Sequence, residues 1–488
     1  MPRRSIASET ALQRKAGPAG NPRRTTLSPG SGTLEGSGAL GAGGLAAADR
    51  AVLDAGQGRG VEVGARGLAD LGDADSRDSL GPLDRLVERY QAEEPELDVG
   101  SVSYAKDVAP ILQEKCQTCH RPKQVAPFSL LTYDQARRWA QPIREAVESR
   151  RMPPWHADSH YGTFLNDRRL TPRERATLLA WIEQETPLGD PKELPPRKEF
   201  PKGWSIGEPD LVLTMPEPYE VAAEGVISYQ RFRVKTDLTE DRWVQAAEAQ
   251  PGNRSVVHHI CVFLVDDQPE DDRQGDELRE LVCYAPGDLP SLFPAGSAKL
   301  LPAGATLDLE LHYTPIGTVQ HDQSSVGLIF SRGPIRRRVY TKGISEKSLN
   351  IPPGAANHEV RASYRFGTDA RLLSFMPHMH LRGKDFRYTA TYPDGRTEVL
   401  LSVPAYDFGW QSVYRLSDPK PMPLGTRIDC VAHFDNSSAN PANPDPSVTV
   451  RWGEQTFDEM MIGFIDFDED AARSVGPTTA NDGRPTPR

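Results

Sequence analysis

The chain has 488 residues, a formal net charge of −11, 43 prolines and 41 glycines. At roughly 100–200 residues per domain this length suggests about three domains, and proline at about 9% of residues, against a usual ~5%, excludes a long-helix or coiled-coil protein because proline breaks helices. The acidic charge argues against a general nucleic-acid binder, which needs a basic face, and no apolar run approaches the ~18 residues of a membrane-spanning helix.

The first 100 residues have the composition of an unpacked extension. Residues 30–48 are mostly Gly, Ala, Ser and Leu, and residues 55–75 alternate glycine with charge, so they cannot bury enough apolar surface to offset their ordering entropy. We expect residues 1–100 to be disordered or to reflect an upstream start assignment, and residues 468–488 to form a disordered polar tail. The nearest candidate for an export signal, residues 39–48, is glycine-rich and far from the terminus.

Residues 101–190 are predicted to be helical. A short helix is expected at residues 107–115 and a second over about residues 132–151. A third begins at residues 171–174, where Thr-Pro-Arg-Glu forms a capping box with proline at the first helical position. The proline-rich residues 191–204 predict a semi-rigid linker.

A heme attachment motif follows the first predicted helix. Cys116, Cys119 and His120 have the C-x-x-C-H spacing, in which two thiols bind the heme vinyl groups and the histidine binds the iron. Met152, in a Met-Pro-Pro-Trp loop, is the predicted second axial ligand, because a thioether raises the heme potential and suits electron transfer. Two histidines could serve instead, His156 and His160. The whole segment resembles a small class I cytochrome c domain, which implies a covalently bound heme c.

Residues 205–467 are predicted to form strands. Strand-like runs recur at short spacing with no helical segment between them, which is typical of β-sandwiches. The eight predicted strands are residues 211–215, 229–234, 256–265, 306–313, 326–330, 372–380, 386–392 and 461–467. Two sandwiches, over residues 205–345 and 346–467, fit this length better than one.

Five of the eleven histidines lie on three of these predicted strands. His378 and His380 are two residues apart, so on a strand both point to one face and can reach one ion. His258 and His259 are adjacent and would face opposite sides of a flat strand, so both can bind one metal only where the strand twists or bulges. His312 lies on another apolar strand.

A methionine pair, Met460 and Met461, begins the last predicted strand. A thioether is a soft ligand suited to Cu(I). Three imidazoles in one group, and two imidazoles with a thioether in another, therefore favour copper over other metals.

The order of these motifs resembles the copper type II, ascorbate-dependent monooxygenases, the family of peptidylglycine α-hydroxylating monooxygenase and dopamine β-monooxygenase. The resemblance covers residues 209–467 and is carried by VVHHICVF, LELHYTP, MPHMHLRGKDF and FDEMMIGF. It implies two jelly-roll-like β-sandwich domains with one copper ion each, facing each other across an open cleft. The implied electron-storing site has His258, His259 and His312, and the implied catalytic, oxygen-binding site has His378, His380 and Met460. Motif register favours Met460 over its rival Met461.

The chain departs from this family at its substrate anchors. The arginine, asparagine and tyrosine that hold the substrate carboxylate in the peptide hydroxylase are replaced by Met376, Ile462 and Phe464. A peptidylglycine substrate is therefore not expected, and an apolar or aromatic-lined pocket is.

The cysteines depart from the family as well. Met461 stands where the family has a cysteine, so the familiar disulfide to the strand bearing Cys430 cannot form. Cys261 and Cys283 could pair with each other, which would leave Cys430 free.

Together the motifs predict an oxidoreductase, a copper monooxygenase that hydroxylates a C–H bond of a small organic substrate with O2. Electrons would come from the fused heme domain, from ascorbate or from a redox protein. The alternative is a periplasmic heme/copper electron-transfer or redox-sensing protein without oxygenase activity, which the apolar anchor positions favour. Because covalent heme attachment occurs outside the bacterial cytoplasm, we predict a periplasmic or secreted protein, with no nucleic-acid partner and no membrane span.

Overall fold

The computed structural model describes residues 97–265, the backbone of residues 277–278, and residues 280–472. Nearly all of the predicted N-terminal extension, and the C-terminal tail beyond residue 472, lie outside the described residues. The tail does not begin at residue 468 as predicted, because the last strand extends to Asp470 and Asp468 is completely buried. Within the described part, the helices precede all the strands, and the strands are far more numerous. These helices are all too short or too polar to span a lipid bilayer.

The helices pack around a small core of their own, in which Trp181 is fully buried. In chain order they are α1 (the consecutive turns Tyr104–Val108, Ala109–Ile111 and Leu112–Cys116), α2 (Tyr133–Arg138), α3 (Ala140–Glu148), α4 (Pro172–Glu183) and a 3-10 turn (Pro191–Glu193). The predicted capping box of α4 is confirmed: the Glu174 N–H donates to Thr171 Oγ1 at 3.2 Å, and the Thr171 N–H donates to Glu174 Oε2 at 2.7 Å. Two N–H groups at the helix start are thereby satisfied.

The strands include all eight predicted from the sequence. In chain order they are β1 (Leu211–Thr214), β2 (Tyr219–Val221), β3 (Gln230–Lys235), β4 (Arg242–Gln250), β5 (Val257–Val265), β6 (Glu277–Leu278), β7 (Glu280–Tyr284), β8 (Ser291–Leu292), β9 (Ser297–Leu301), β10 (Thr306–Tyr313), β11 (Gln320–Asp322), β12 (Ser325–Phe330), β13 (Arg337–Ser345), β14 (Asn350–Ile351), β15 (His358–Arg365), β16 (Ala370–His378), β17 (Gly383–Thr391), β18 (Thr397–Val403), β19 (Tyr414–Met422), β20 (Arg427–Phe434), β21 (Val450–Arg451) and β22 (Ile462–Asp470).

A first sandwich is built from β1-β12-β4-β9 on one side and β3-β10-β5-β7 on the other. Both sheets contribute to one core, in which Val244 of β4, Val262 of β5 and Leu309 of β10 are fully buried. A disulfide between Cys261 and Cys283 joins β5 to β7, so the pairing considered from the sequence is confirmed.

A second sandwich packs β13-β22-β16-β19 against β15-β20-β17-β18. Its core buries Phe375, Phe386 and Tyr388 completely. Cys430 is a free thiol in this core, lying over Gly463, where an added Cβ would come within 2.5 Å of its Sγ. Burial raises the pKa of Cys430 well above its usual range, so this thiol is an unreactive packing residue.

The two sandwiches share a continuous sheet. β9 and β13 pair in parallel, with Ser297 and Ala298 opposite Arg337 and Arg338. Because β13 pairs along its whole length with β22, it belongs to the second sandwich. The predicted boundary at residue 345 therefore falls at the end of β13, which belongs to the second core. The boundary between the two cores lies earlier, between β12 and β13.

The segment after α3 leaves the helical core and joins the second sandwich. Trp155 and Phe164 are buried in the second core, Trp155 lies edge-on to Tyr414 at 4.9 Å between ring centroids, and Phe164 pairs with Leu416. Residues 101–190 are therefore not one separate packing unit, and the helical region is attached to the second sandwich by more than its linker.

Candidate metal centres

β5 and β10 of the first sandwich lie side by side and carry three histidines. His312 is directly opposite His259, but the next pair joins Tyr313 to Val257, so His258 is the extra residue of a β-bulge. A bulge re-aims a side chain, and ligand nitrogens of His258, His259 and His312 lie within 4.8 Å of one another. A bulge, one of the two distortions that would let the adjacent histidines share a metal, is present, and it gathers three imidazoles that a flat strand would separate.

These three imidazoles have the protonation state that a metal requires. Burial lowers the pKa of His258, lowers that of His259 well below its usual range, and lowers that of His312 to about 4. Nδ1 of His312 is buried without a hydrogen-bond partner among the described residues. Neutral imidazoles suit copper and zinc, and binding a metal would satisfy the unpartnered nitrogen. The residues therefore fit a metal ion.

His378 is the last residue of β16, and His380 lies in the irregular segment after it. The prediction that one strand continues to residue 380 and carries both histidines is therefore wrong. The rings of His378 and His380 are 5.2 Å apart at 88°. Nδ1–H of His378 donates to Oε1 of Gln411 at 2.6 Å, and Nδ1 of His380 faces the Asp458 carbonyl at 3.3 Å. A hydrogen bond at Nδ1 sets the tautomer of an imidazole, which leaves Nε2 of each ring as the nitrogen that can bind a metal.

A fully buried carboxyl group, Glu459, shapes the turn after His378. The N–H groups of His380 and Arg382 donate to it at 2.8 and 2.6 Å, and burial raises its pKa to about 8. The next two residues differ in surroundings, because Met461 is completely buried in the second core whereas Met460 is only half-buried. Met460 is thus the methionine that is free of the core, and its role as a ligand stays a prediction.

The methionine pair provides a direct comparison. We expect Met461→Ala to lower the free energy of unfolding by about 2–5 kcal/mol, because it opens a cavity in the core, and to leave the copper content unchanged. Met460→Ala should reduce copper at the His378 site with little loss of stability. Urea unfolding and copper analysis of both variants measure the two effects, and the reverse pattern would make Met461 the ligand.

Phe408 lies between the two histidine groups. Its ring centroid is 6.0 Å from that of His258 and 5.9 Å from that of His380. His378 and His380 are also close enough to lower the pKa of His259. The space where the family resemblance implies an open cleft therefore contains an aromatic side chain of this chain.

Gln411 provides a test of how His378 is positioned. Without the Gln411 acceptor, Nδ1 of His378 is free to rotate or change tautomer, so we expect Gln411→Leu to weaken copper binding at this site by about 10- to 100-fold. Copper titration followed by electron paramagnetic resonance measures each site. Gln141→Leu, at an exposed glutamine of α3 in the helical region, is the matched control. Equal weakening at both sites would contradict the positioning role.

The residues of the heme motif occupy one turn at the end of α1. The N–H groups of Cys119 and His120 donate to the Cys116 carbonyl at 3.1 and 2.9 Å, and both thiols are unpaired. Nδ1 of His120 is 3.2 Å from the Phe128 carbonyl, which leaves Nε2 for iron. A cavity of about 90 Å³ adjoins Cys119 and is also lined by Arg121. Two free thiols and one oriented imidazole fit covalent heme attachment.

The candidates for the second axial ligand have different surroundings. His160 is largely exposed and its Nδ1 pairs with Asp158 at 2.6 Å. His156 is buried, and burial lowers its pKa. The nearby Asp407 of the second sandwich opposes this shift without reversing it. Met152 is half-buried after α3, with its N–H donating to Ala146 at 3.0 Å. Both histidines face groups outside the helical core, and Met152 stays the predicted ligand.

The sequence did not identify several residues of these sites. Glu459 had a signal, because it lies inside the Asp-Glu-Met motif beside a predicted ligand. Three others had none, since they are distant in sequence from the histidines that they contact: Tyr229, Phe408 and Gln411. Tyr229 packs 5.4 Å from His259 and 5.0 Å from His312, and burial raises its pKa to about 12, so it stays protonated.

Comparisons with known proteins give little for these sites. No family model matches the chain, and no curated protein matches it. Among solved structures, the VP2 subviral particle of infectious bursal disease virus is 9% identical, covers 54% of this chain and 73% of that chain, and has a TM-score of 0.17. Oxalate decarboxylase of Bacillus subtilis is 9% identical, covers 59% of this chain and 85% of that chain, and has a TM-score of 0.13. Similarities this low carry no conclusion about fold or function.

Proposed function

We propose that this chain is a copper-dependent monooxygenase that hydroxylates a C–H bond of a small organic substrate with O2. The observation that carries the proposal is the convergence of His258, His259 and His312 at the bulge of β5, one aromatic side chain away from His378 and His380. Imidazole-rich sites suit copper. Two neighbouring copper sites of different composition suit a reaction that consumes two electrons, whereas an electron carrier needs only one copper site.

The residues around the second site would position the ligands. When bound by His378, His380 and Met460, copper would supply O2 activation, and copper at the first site would supply the second electron. Gln411 holds the His378 ring, and Glu459 binds the backbone on both sides of residue 381. Phe408 occupies part of the space between the two sites.

The helical region would serve as the electron donor. Cys116 and Cys119 would hold heme c covalently, with His120 and Met152 as axial ligands, and the heme would supply electron transfer. The burial of Trp155 in the second core supports this role, because it keeps the helical region against the sandwich that carries His378. Covalent heme implies export, so a periplasmic or secreted location is part of the proposal.

The competing function is electron transfer or redox sensing without oxygenation. The contact of Phe408 with both histidine groups favours it, since the ring restricts access between them. Oxygen uptake by copper-loaded protein distinguishes the two. We expect uptake that requires both a reductant and an added organic substrate and that is abolished in His378→Ala. Reversible oxidation and reduction with no substrate-dependent uptake would establish the competing function.

A further inference from the structure

One face of the second sandwich continues from His378 toward the first sandwich. On β16, Phe375 is buried in the second core, so residues at even positions share the opposite face. These residues are Ser374, Met376 and His378. Their neighbours on β22 are Asp466 opposite Ser374, Phe464 opposite Met376 and Ile462 opposite His378. The face is therefore ordered in cross-strand rows.

The rows differ in chemistry. The row at Ser374 is polar, because Asp466 of β22, Thr341 of β13 and Arg415 of β19 lie across from one another on the paired strands. The next row is apolar, with Met376 and Phe464. The last row carries His378. Two residues of strand span about 6.6 Å, so the polar row lies about 13 Å from the histidine row.

A cleft lies over the polar and apolar rows of this face. A cavity of about 30 Å³ is lined by the polar and apolar rows and, from the other side, by Glu280 and Cys283 of β7 in the first sandwich. The Phe464 ring in this cavity is 6.1 Å from the His378 ring. The cavity, which ends one row short of His378, is therefore not lined only by apolar side chains, as the replaced family anchors suggested, but has a polar end.

The polar end has one cation with open hydrogen-bonding capacity. Asp466 already accepts from Thr341 at 2.5 Å and from Ser374 at 2.8 Å, and Lys299 lies 3.6 Å from it. Arg415 donates from Nη2 to the Leu289 carbonyl at 2.7 Å, and within the described residues no hydrogen bond uses its Nε or Nη1. The carboxyl groups of Asp288 and Asp466 are close enough to interact with its charge, so a ligand carboxylate would share Arg415 with them. Arg415 is thus a half-buried guanidinium with donors left for a ligand.

We propose that the cleft binds a small amphiphilic carboxylate, with its carboxylate on Arg415 and its apolar body on Met376 and Phe464, so that its far end lies at His378. Guanidinium donors match a carboxylate in geometry and charge. The row spacing sets the length of the ligand at about 13 Å or less. Only the reaction at His378 rests on the proposed function, because the binding itself uses no metal.

Glu280 makes this binding depend on pH. Burial raises the pKa of Glu280 to about 7, with Lys299 opposing the shift and Asp466 adding to it. Below pH 7 Glu280 is mostly neutral and tolerates a ligand carboxylate nearby. Above pH 7 it is ionised and repels the ligand, so affinity should fall as the pH rises from 6 to 8, and Glu280→Gln should remove that fall.

Isothermal titration with two matched probes tests the proposal. The probes are 3-phenylpropanoate and 3-phenylpropan-1-ol, which share the apolar body and differ in the charged end. We expect the wild type to bind the carboxylate more tightly than the alcohol. Arg415→Gln should weaken carboxylate binding by about 10- to 100-fold and leave alcohol binding unchanged, as expected for the loss of a charge-assisted hydrogen bond. The exposed Arg361→Gln is the control for net charge.

Three outcomes would overturn the inference: no binding of the carboxylate by the wild type, equal binding of both probes, or unchanged carboxylate binding in Arg415→Gln. If Arg415→Gln does not fold, Arg415→Lys and the pH dependence in Glu280→Gln measure the same contact. Copper content, measured on the same samples, separates the two proposals. Two copper ions without probe binding contradict only the ligand, and probe binding without copper contradicts only the proposed function.

Discussion

Wild-type protein is expected to bind two copper ions per chain, and His259→Ala or His378→Ala is expected to bind one. Removing one of three imidazoles from the first site, or one of two from the second, leaves too few ligands to hold the ion through dialysis. Each substitution should spare the other site, because the ligands belong to different sandwiches with separate cores. Metal analysis after dialysis gives the count, and electron paramagnetic resonance identifies which site remains.

The exposed His321 provides the control for the copper count, since its side chain is 64% exposed beside Glu220. His321→Ala should retain both ions. A wild type with one copper ion, or loss of both ions in either ligand variant, would contradict two independent sites. Loss of copper in His321→Ala would show that the count reports general damage rather than ligation.

Replacing both Cys116 and Cys119 by alanine is expected to abolish the c-type heme spectrum. Protein produced in an exporting host that attaches heme should be red, and its heme should survive acid–acetone extraction because the thioether bonds are covalent. The variant has no thiol at the end of α1 to form these bonds, so its heme should be lost completely. Absorption spectra before and after extraction measure the result.

The buried Cys430 supplies the control for the heme test. Cys430→Ala removes a thiol from the second core and should leave the extracted spectrum intact. Heme that washes out of the wild type would exclude c-type attachment.

Deletion of residues 1–190 is not a suitable test of the donor role, because it would also remove Trp155 and Phe164 from the second core.

The local elements followed from residue types a few positions apart. The capping box at Thr171 and eight strands, three of which carry histidines of the sites, were predicted, because helix caps and the two-residue alternation of strands depend on neighbours along the chain. The common face of His378 and Met376 follows from the same alternation. Domain boundaries were less accurate, since β13 and the segment around Trp155 join the second core by contacts distant in sequence.

The composition of the sites depends on contacts between distant strands. The adjacent His258 and His259 could share a metal only with a twist or a bulge of the strand. The bulge at His258 is set by the pairing of β5 with β10, whose histidines are more than 50 residues apart. Gln411 reaches His378, and Arg415 faces Ser374, through the loop and register of β19. Side-chain alternation along a strand is a local property of the backbone, whereas strand register is set by burying both sheets in a common core. The strands, and the face of a strand on which a residue lies, could therefore be predicted from the sequence. Which residues of other strands and loops contact the histidines was decided only by the packing of the two sandwiches.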